Sequence, residues 1–325
     1  MKTFSNVNPK SVPEAVKLLG QPGKSTAVVG GGSDLLGMVK ERLIQPDVLV
    51  NLKSIPNLDR IAEQGGEVRI GGLTTLAAIS QNPIIRARYR VLADAAGSVG
   101  TPQIRNAGTI AGNVAQRPWC WYFRNGFPCF KNGGKTCFSI SGENEFHAIF
   151  GGGPSYIVHP SDTAPALVAL DAKLRIAGPS GERTIAAADF FTPPSKDPSC
   201  ENVLTHDEVL VDIHLPAAPK GLRSSYHKEL DRESWTHAIV SVAVAIEMDR
   251  DTCKKARVVL GGVAPIPWRL PKVEAMLAGK KITPELAAEA GTAAIEGAQP
   301  LAKNRYKLPL TKAIVKRTLT GVVAA

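Results

Sequence analysis

The sequence predicts an α+β fold built in consecutive units, and three observations carry that expectation. Short apolar runs alternate with helical spacing near the start of the chain. The middle, Gly97–Tyr156, is dense in Gly, Pro, Cys and aromatic residues and shows neither period. The last third returns to apolar strands followed by helices, after a proline-bounded connection at Pro216–Lys220. With 325 residues, 44% hydrophobic and 21% charged, the chain is long enough for two or three domains with real cores. Fibrous and disordered classes are excluded.

Each element has a local reason. Ser11 is placed to cap a helix over Val12–Leu19, with Glu14 set as in a capping box. Thr26–Val29 reads as a strand ended by Gly30-Gly31-Gly32; Leu35–Leu43 has helical spacing, and Val48–Asn51 is strand-like. These make a first unit, 1–55. A second, 56–217, holds a strand at Val68–Ile70, a turn at Gly71-Gly72, and helices over Thr74–Ser80 and Pro83–Ala96. The irregular stretch follows; so much irregular chain in a compact domain calls for a function or cofactor to organise it. Beyond it come a helix at Ala164–Leu170, a strand at Leu174–Ile176, the Pro-rich run Thr192–Pro198 and a strand at Val209–Leu215. A third unit, 222–325, offers strands at Ile239–Ile246 and Val258–Val263 and helices at Pro284–Ile295 and Lys307–Leu319.

Composition excludes several classes. Lys and Arg number 39 against 29 Asp and Glu, a net charge of +10, but the basic residues are scattered singly or in pairs. Aromatics are 6%, and no basic stripe interleaves with them, so the sequence argues against nucleic-acid binding. A solubilising or partner-facing charge is the plainer reading. No apolar run approaches the ~20 residues of a membrane span. The start, MKTFSNVNPKSVPEAVKLLG, lacks an apolar signal core, so no export address is expected in the chain itself. No nucleophile–base pair, H-E-x-x-H or G-x-S-x-G element supports hydrolytic chemistry.

Two glycine-containing loops stand out. The first, Ala27-Val28-Val29-Gly30-Gly31-Gly32-Ser33-Asp34-Leu35, follows a strand and opens a helix, where backbone N–H groups can approach phosphate. It is neither the G-x-G-x-x-G fingerprint, which needs Gly where Leu35 stands, nor a P-loop, which needs Lys-Ser/Thr. By itself it is equally a tight strand-to-helix turn. The second, Thr101–Asn113, combines Gly108 and Gly112 with Thr109 and Asn113. Two such loops could grip the two phosphates of one extended cofactor. In His159-Pro160-Ser161-Asp162, either Ser161 or Asp162 can cap a helix, or Asp162 can accept hydrogen bonds from sugar-like hydroxyls.

The cysteines form a third signal. Cys200 and Cys253 are isolated and read as inert thiols. Cys120, Cys129 and Cys137 cluster inside the irregular stretch, where thiolates on a metal or cluster would organise the chain. Disulfides leave one of the three over, and the spacings are too wide for zinc C-x2–4-C pairs. An iron–sulfur cluster and a metal-free loop both remain open.

The segments GGGSDLL, QIRNAGTIAGN, HPSDTAPAL, HKELDRESW and LGGVAPIPWR, in this order along the chain, resemble the FAD-binding subunit of the xanthine dehydrogenase/aldehyde oxidase family of molybdenum hydroxylases. The resemblance is nearest to the aldehyde-oxidoreductase-type FAD subunits that carry an extra [4Fe–4S] cluster. It implies a PCMH-type FAD-binding domain of two α/β subdomains, 1–55 and 56–217, and a smaller C-terminal α/β domain. It implies FAD held by Ala27–Leu35 and by Thr109, Gly112 and Asn113, with Asp162 at the ribityl or ribose region. Lys228 matches a lysine near the flavin ring, and Leu210 a residue packing on the isoalloxazine. The cluster would sit in a loop at about 117–157, on Cys120, Cys129 and Cys137. Ser155 stands where the family pattern expects a fourth cysteine, which leaves Ser155, water or a three-iron form for the last position.

The implied partners are a molybdenum-cofactor large subunit and a [2Fe–2S] small subunit in a heterotrimer. The implied role is electron relay through FAD to an outside acceptor, in the cytoplasm or, by co-export with a signal-bearing partner, in the periplasm. A non-catalytic scaffold with disused flavin loops is the alternative of different class. A stand-alone flavin oxidase is disfavoured by the lack of an obvious substrate pocket and of a His-based attachment motif in the first loop.

Overall fold

The structure, a computed structural model, describes residues 1–324 and contains three sheets. The first is parallel, with β1 (Ser5–Val7), β2 (Thr26–Val29) and β3 (Val48–Asn51) in the order β1–β3–β2. Helix Val12–Leu19 begins where Ser11 Oγ accepts the Glu14 N–H at 3.3 Å. The Glu14 carboxylate accepts from Lys10 N–H at 2.6 Å, so the box closes one residue earlier than a standard capping box. The buried face of that helix, Ala15, Val16 and Leu19, packs on Val48 and Val50 and also on Ala177, Val209 and Val211 of the next sheet. This apolar seam seats the first sheet on the second.

The second sheet is antiparallel. It contains β4 (Ile61–Gln64), β5 (Glu67–Gly71), β6 (Lys173–Gly178), β7 (Gly181–Ala186) and β8 (Val209–Leu215), in the order β4–β5–β8–β6–β7. The single helix expected over Pro83–Ala96 is two, Pro83–Arg88 and Arg90–Gly97. The break falls at Tyr89, whose φ of −134° and ψ of 49° lie outside the helical region. Its buried ring points the hydroxyl at the Pro216 carbonyl, 2.7 Å away. A tertiary hydrogen bond there takes precedence over local helical periodicity.

The third sheet runs β12 (Trp268–Arg269), β11 (Thr252–Gly261), β10 (Val240–Asp249) and β9 (Leu222–Glu229), with β13 (Lys280–Lys281) paired to β11. Helices Pro271–Leu277, Pro284–Ala293 and Lys307–Ala324 cover one face. The other face supplies Tyr226, Ala243, Ala245 and Val259 to the core of the second sheet and its helices. Strand β9 escapes sequence reading because it is mostly polar, Arg223, Ser224, Ser225, His227 and Lys228 among its residues.

Gly97–Tyr156 holds short helices at Pro102–Ala107, Ile110–Val114 and Trp121–Arg124. Protein groups anchor its cysteine-bearing part. Lys131 and Glu201 pair at 2.7 Å with both side chains 2% exposed, and Arg117 reaches Glu201 at 2.8 Å. Lys307 donates to the carbonyls of Phe146, His147 and Gly262 at 3.0, 3.1 and 2.7 Å. Asn304 Nδ2 donates to the His147 and Ala148 carbonyls. These protein contacts hold the loop in addition to any contribution from thiolate ligation. Among the described residues, no helix is long and apolar enough to cross a membrane.

Removing one partner of a buried ion pair leaves an uncompensated charge. Glu201→Ala is therefore expected to cost about 3–5 kcal/mol of stability in chemical denaturation. A loss under about 1 kcal/mol, the scale of an exposed pair, would show that the Lys131–Glu201 contact does not hold the loop.

Candidate functional site

The two glycine-containing bends meet. A Cβ on Gly31 would lie 2.2 Å from the Ala107 carbonyl oxygen and 2.9 Å from Gly108 Cα, so only glycine permits this backbone-on-backbone approach. The opposing bend is fixed from several sides. Thr101 Oγ1 caps helix Pro102–Ala107, and Thr109 Oγ1 accepts the Gly112 N–H at 3.3 Å to start Ile110–Val114. The Leu76 N–H donates to the Gly108 carbonyl and the Ile110 N–H to the Thr74 carbonyl, both at 3.0 Å. Asn113 Oδ1 accepts from the Ser161 and Thr163 hydroxyls at 2.6 Å each, which ties the bend to the His159–Asp162 segment.

Two cavities open on either side of this junction. The first, about 260 Å³, is lined by Val99, Ile104, Trp119, Asp162, Trp235 and His237. The second, about 250 Å³, is lined by Val28, Gly30, Leu35, Met38, Leu52 and Leu210. They share Ser33, Asp34, Thr109, Gly112 and Gln116. The result is one elongated cleft with its waist at the meeting of the bends.

The expected residues take distinct places along it. Ala27 and Val29 lie in β2, paired with Leu49 and Asn51 of β3, and bring Gly30–Gly32 to the waist. Asp34 is bound on both oxygens, to the Arg124 guanidinium at 2.6 Å and the Arg117 N–H at 3.0 Å. Its negative charge is therefore offset where phosphate would come. Leu210 lines the second cavity, whereas Lys228 lines neither cavity and reaches the first through its partner Asp162.

Lys228 is buried and not a solvated lysine: its Nζ lies 2.7 Å from Asp162 Oδ2 and donates to the Ser98 carbonyl at 3.1 Å, with both ionic side chains 4% exposed. The other Asp162 oxygen accepts from Tyr226 Oη at 2.7 Å. Burial, together with the Asp162 charge, holds the Tyr226 hydroxyl well above the usual phenol range, so it stays a donor. Both Asp162 oxygens thus have protein partners, and acceptance from sugar hydroxyls would have to share them. Asp162 does not cap helix Thr163–Ala169 through its side chain; Ser161 Oγ does, from the Ala164 N–H at 3.0 Å.

Cys129 and Cys137 are buried and Cys120 half-buried, all three as free thiols. Burial pushes the Cys120 thiol up to about 11, and the neighbouring Cys137 and Cys129 add to the rise. The Tyr156 N–H points at Cys137 Sγ at 3.5 Å, Ser139 Oγ lies 3.1 Å from that sulfur, and Ser155, next to Tyr156 in the chain, is buried. Among the described residues, no three His, Cys, Asp or Glu side chains converge closely enough to hold a single metal ion. A third cavity, about 520 Å³, fronts Cys120 and His147 and shares Trp119, Pro160, Thr236 and His237 with the first.

Sequence reasoning did not assign Gln116, Trp119, Trp235 or His237 to the cleft. Trp119 and Trp235 are two of four tryptophans, and their half exposure, unlike that of a core residue, is visible only in the fold.

Residues 2–218 match the family model described as the FAD binding domain in molybdopterin dehydrogenase. The chain belongs to the FAD-binding subunits of the molybdenum hydroxylases. Residues 225–322 match the CO dehydrogenase flavoprotein C-terminal domain. The aldehyde oxidoreductase FAD-binding subunit PaoB of Escherichia coli is 35% identical, over 99% of this chain and 97% of its own length. The carbon monoxide dehydrogenase medium chain of Hydrogenophaga pseudoflava is 32% identical, over 97% and 96%. The solved carbon monoxide dehydrogenase from that organism, in a form lacking the Mo-pyranopterin moiety, superimposes with a TM-score of 0.78 at 31% identity, covering 99% of this chain and 97% of the other. The mixed α/β fold, the flavoprotein assignment and the role as a flavin-dependent oxidoreductase subunit stand on these matches.

Gly31→Ala forces the bends apart by steric overlap with backbone. It is expected to weaken FAD binding at least about tenfold, or about 1.4 kcal/mol, in a fluorescence titration. Gly37→Ala, where an added Cβ meets nothing within 4 Å, is the control and should bind normally. Equal binding by the two variants would show that FAD does not depend on the close approach of the bends.

Proposed function

We propose that this flavoprotein relays electrons from [2Fe–2S] centres on a small partner subunit to FAD and on to an external acceptor, in a heterotrimer whose molybdenum-cofactor subunit oxidises an aldehyde-type or xanthine-type substrate. FAD, when bound, would take up electrons one at a time from one-electron centres and give them up singly or as a pair. The reading is carried by the cleft: two cavities joined at Ser33, Asp34, Thr109, Gly112 and Gln116 suit a two-ended molecule with a diphosphate at its middle.

In this reading the Gly30–Gly32 and Thr109–Gly112 backbones bracket the diphosphate, and Arg124 relieves the repulsion that Asp34 would otherwise exert on it. The isoalloxazine end takes the first cavity, where Val99, Ile104, Trp119 and Trp235 exclude water. The Asp162–Lys228 pair presents an internally balanced charge beside it. The adenosine end takes the second cavity, against Met38, Leu52 and Leu210. The +10 net charge suits partner docking.

The reading includes a [4Fe–4S] cluster on Cys120, Cys129 and Cys137, with Ser155 or water at the fourth iron. Three of the loop's cysteines are free thiols of the kind an iron–sulfur cluster takes as ligands, which supports the reading on donor chemistry.

Two measurements test these readings. In the purified chain, bound FAD should keep its oxidised absorbance when aldehyde is added, and lose it only with the partner subunits present. Bleaching in the isolated chain would overturn the relay. Protein prepared without oxygen should contain iron and acid-labile sulfide with an EPR signal on reduction. Iron-free protein would remove the cluster.

A further inference from the structure

The His147 side chain has no assigned role, yet its Nε2 lies 3.4 Å from Cys120 Sγ. The residue is 8% exposed, and Nδ1 is buried with no partner, so the sulfur is the ring's one polar contact. We propose that His147 donates a hydrogen bond from Nε2 to the Cys120 sulfur and, as a positioning residue, raises the reduction potential of the cluster held there. The inference rests on the cluster reading above.

A metal-bound cysteine is a thiolate and has no proton to give, so the proton of this contact belongs to Nε2. The backbone that carries the ring is held in place by protein groups. The His147 N–H donates to the Asn144 carbonyl at 3.0 Å, and the His147 carbonyl accepts from Lys307 Nζ and Asn304 Nδ2 at 3.1 and 3.0 Å. Lys307 and Asn304 are both fully buried, so the C-terminal part of the chain presets the donor before any metal arrives.

The contact is also specific to one corner. Cys137 receives the Tyr156 N–H and lies beside Ser139 Oγ, whereas Cys120 has the imidazole. Reduction adds negative charge to the cluster and its sulfurs, and an N–H dipole aimed at a ligating sulfur stabilises that charge, which raises the potential. The lining of the cavity in front of Cys120 adds Glu143, Glu145 and Asp231, whose charges act in the opposite sense.

The test compares wild type, His147→Phe and His147→Gln in the full-length protein, by iron content, circular dichroism and an EPR-monitored redox titration. Gln keeps an N–H donor at similar reach; Phe keeps the bulk and loses the donor. The expected result is an unchanged iron count in all three, a lower potential in His147→Phe, and an intermediate or wild-type potential in His147→Gln. Should the Phe variant fail to fold, the same titration on His147→Gln and His147→Leu gives the comparison. A potential unmoved by loss of the donor overturns the inference and leaves the cluster standing. An iron count that falls in every variant also overturns it, in favour of His147 as a direct ligand. An iron-free wild type overturns the cluster reading and this inference together.

Discussion

The Gly31 backbone presses directly on the Ala107 carbonyl, at a distance that excludes any side chain. That contact joins the edge of one small parallel sheet to a bend in a separate unit, and the cleft exists because of it. The contact is not self-sustaining: a few van der Waals contacts between backbones are worth only tenths of a kcal/mol each. It is held by the seam of Ala15, Val16 and Leu19 against Val209 and Val211, which docks the first sheet on the second. The bend is held in turn by Asn113, Ser161 and Thr163. A cofactor's diphosphate at the waist of the cleft would add further N–H donors' work to a junction already built.

Charge along the cleft is arranged in closed pairs. Asp34 is matched by Arg124, and Asp162 by Lys228 and Tyr226. Glu201 is matched by Lys131 and Arg117. Asp34, Asp162 and Glu201 therefore each have a counter-charge in the protein. The Arg124 guanidinium also lies 4.4 Å from the Trp119 ring centroid, so one side chain connects the first glycine loop, the wall of the first cavity and the residue next to Cys120. The cysteine loop and the cleft thus share Arg124 as a link.

Elements stabilised by their own periodicity were legible in advance. Strands Thr26–Val29, Val48–Asn51 and Val209–Leu215 and the helix Val12–Leu19 lie where apolar spacing and a Ser11 cap put them. Tyr89 shows where that reasoning stops. A distant carbonyl at Pro216 decides the break, and nothing within the helix announces it. Strand β9 was hidden because its partner β10 supplies most of the apolar surface, while β9 carries polar residues such as Lys228, which pairs with Asp162. The two glycine segments could be recognised as loops, but their meeting depends on the docking of two sheets. The Leu210 position likewise depends on which side of the junction β8 faces. Half-exposed Trp119 and Trp235 could be found only once burial was known, since the sequence alone does not say which tryptophans are outside the core.

Both bends must touch one ligand for the cleft to hold FAD across its waist. Amide hydrogen exchange on the purified chain, with and without FAD, reads each bend separately. Simultaneous slowing across 30–35 and 108–113 is the result this account requires. Slowing confined to one segment, with the other exchanging as in the FAD-free protein, would contradict it.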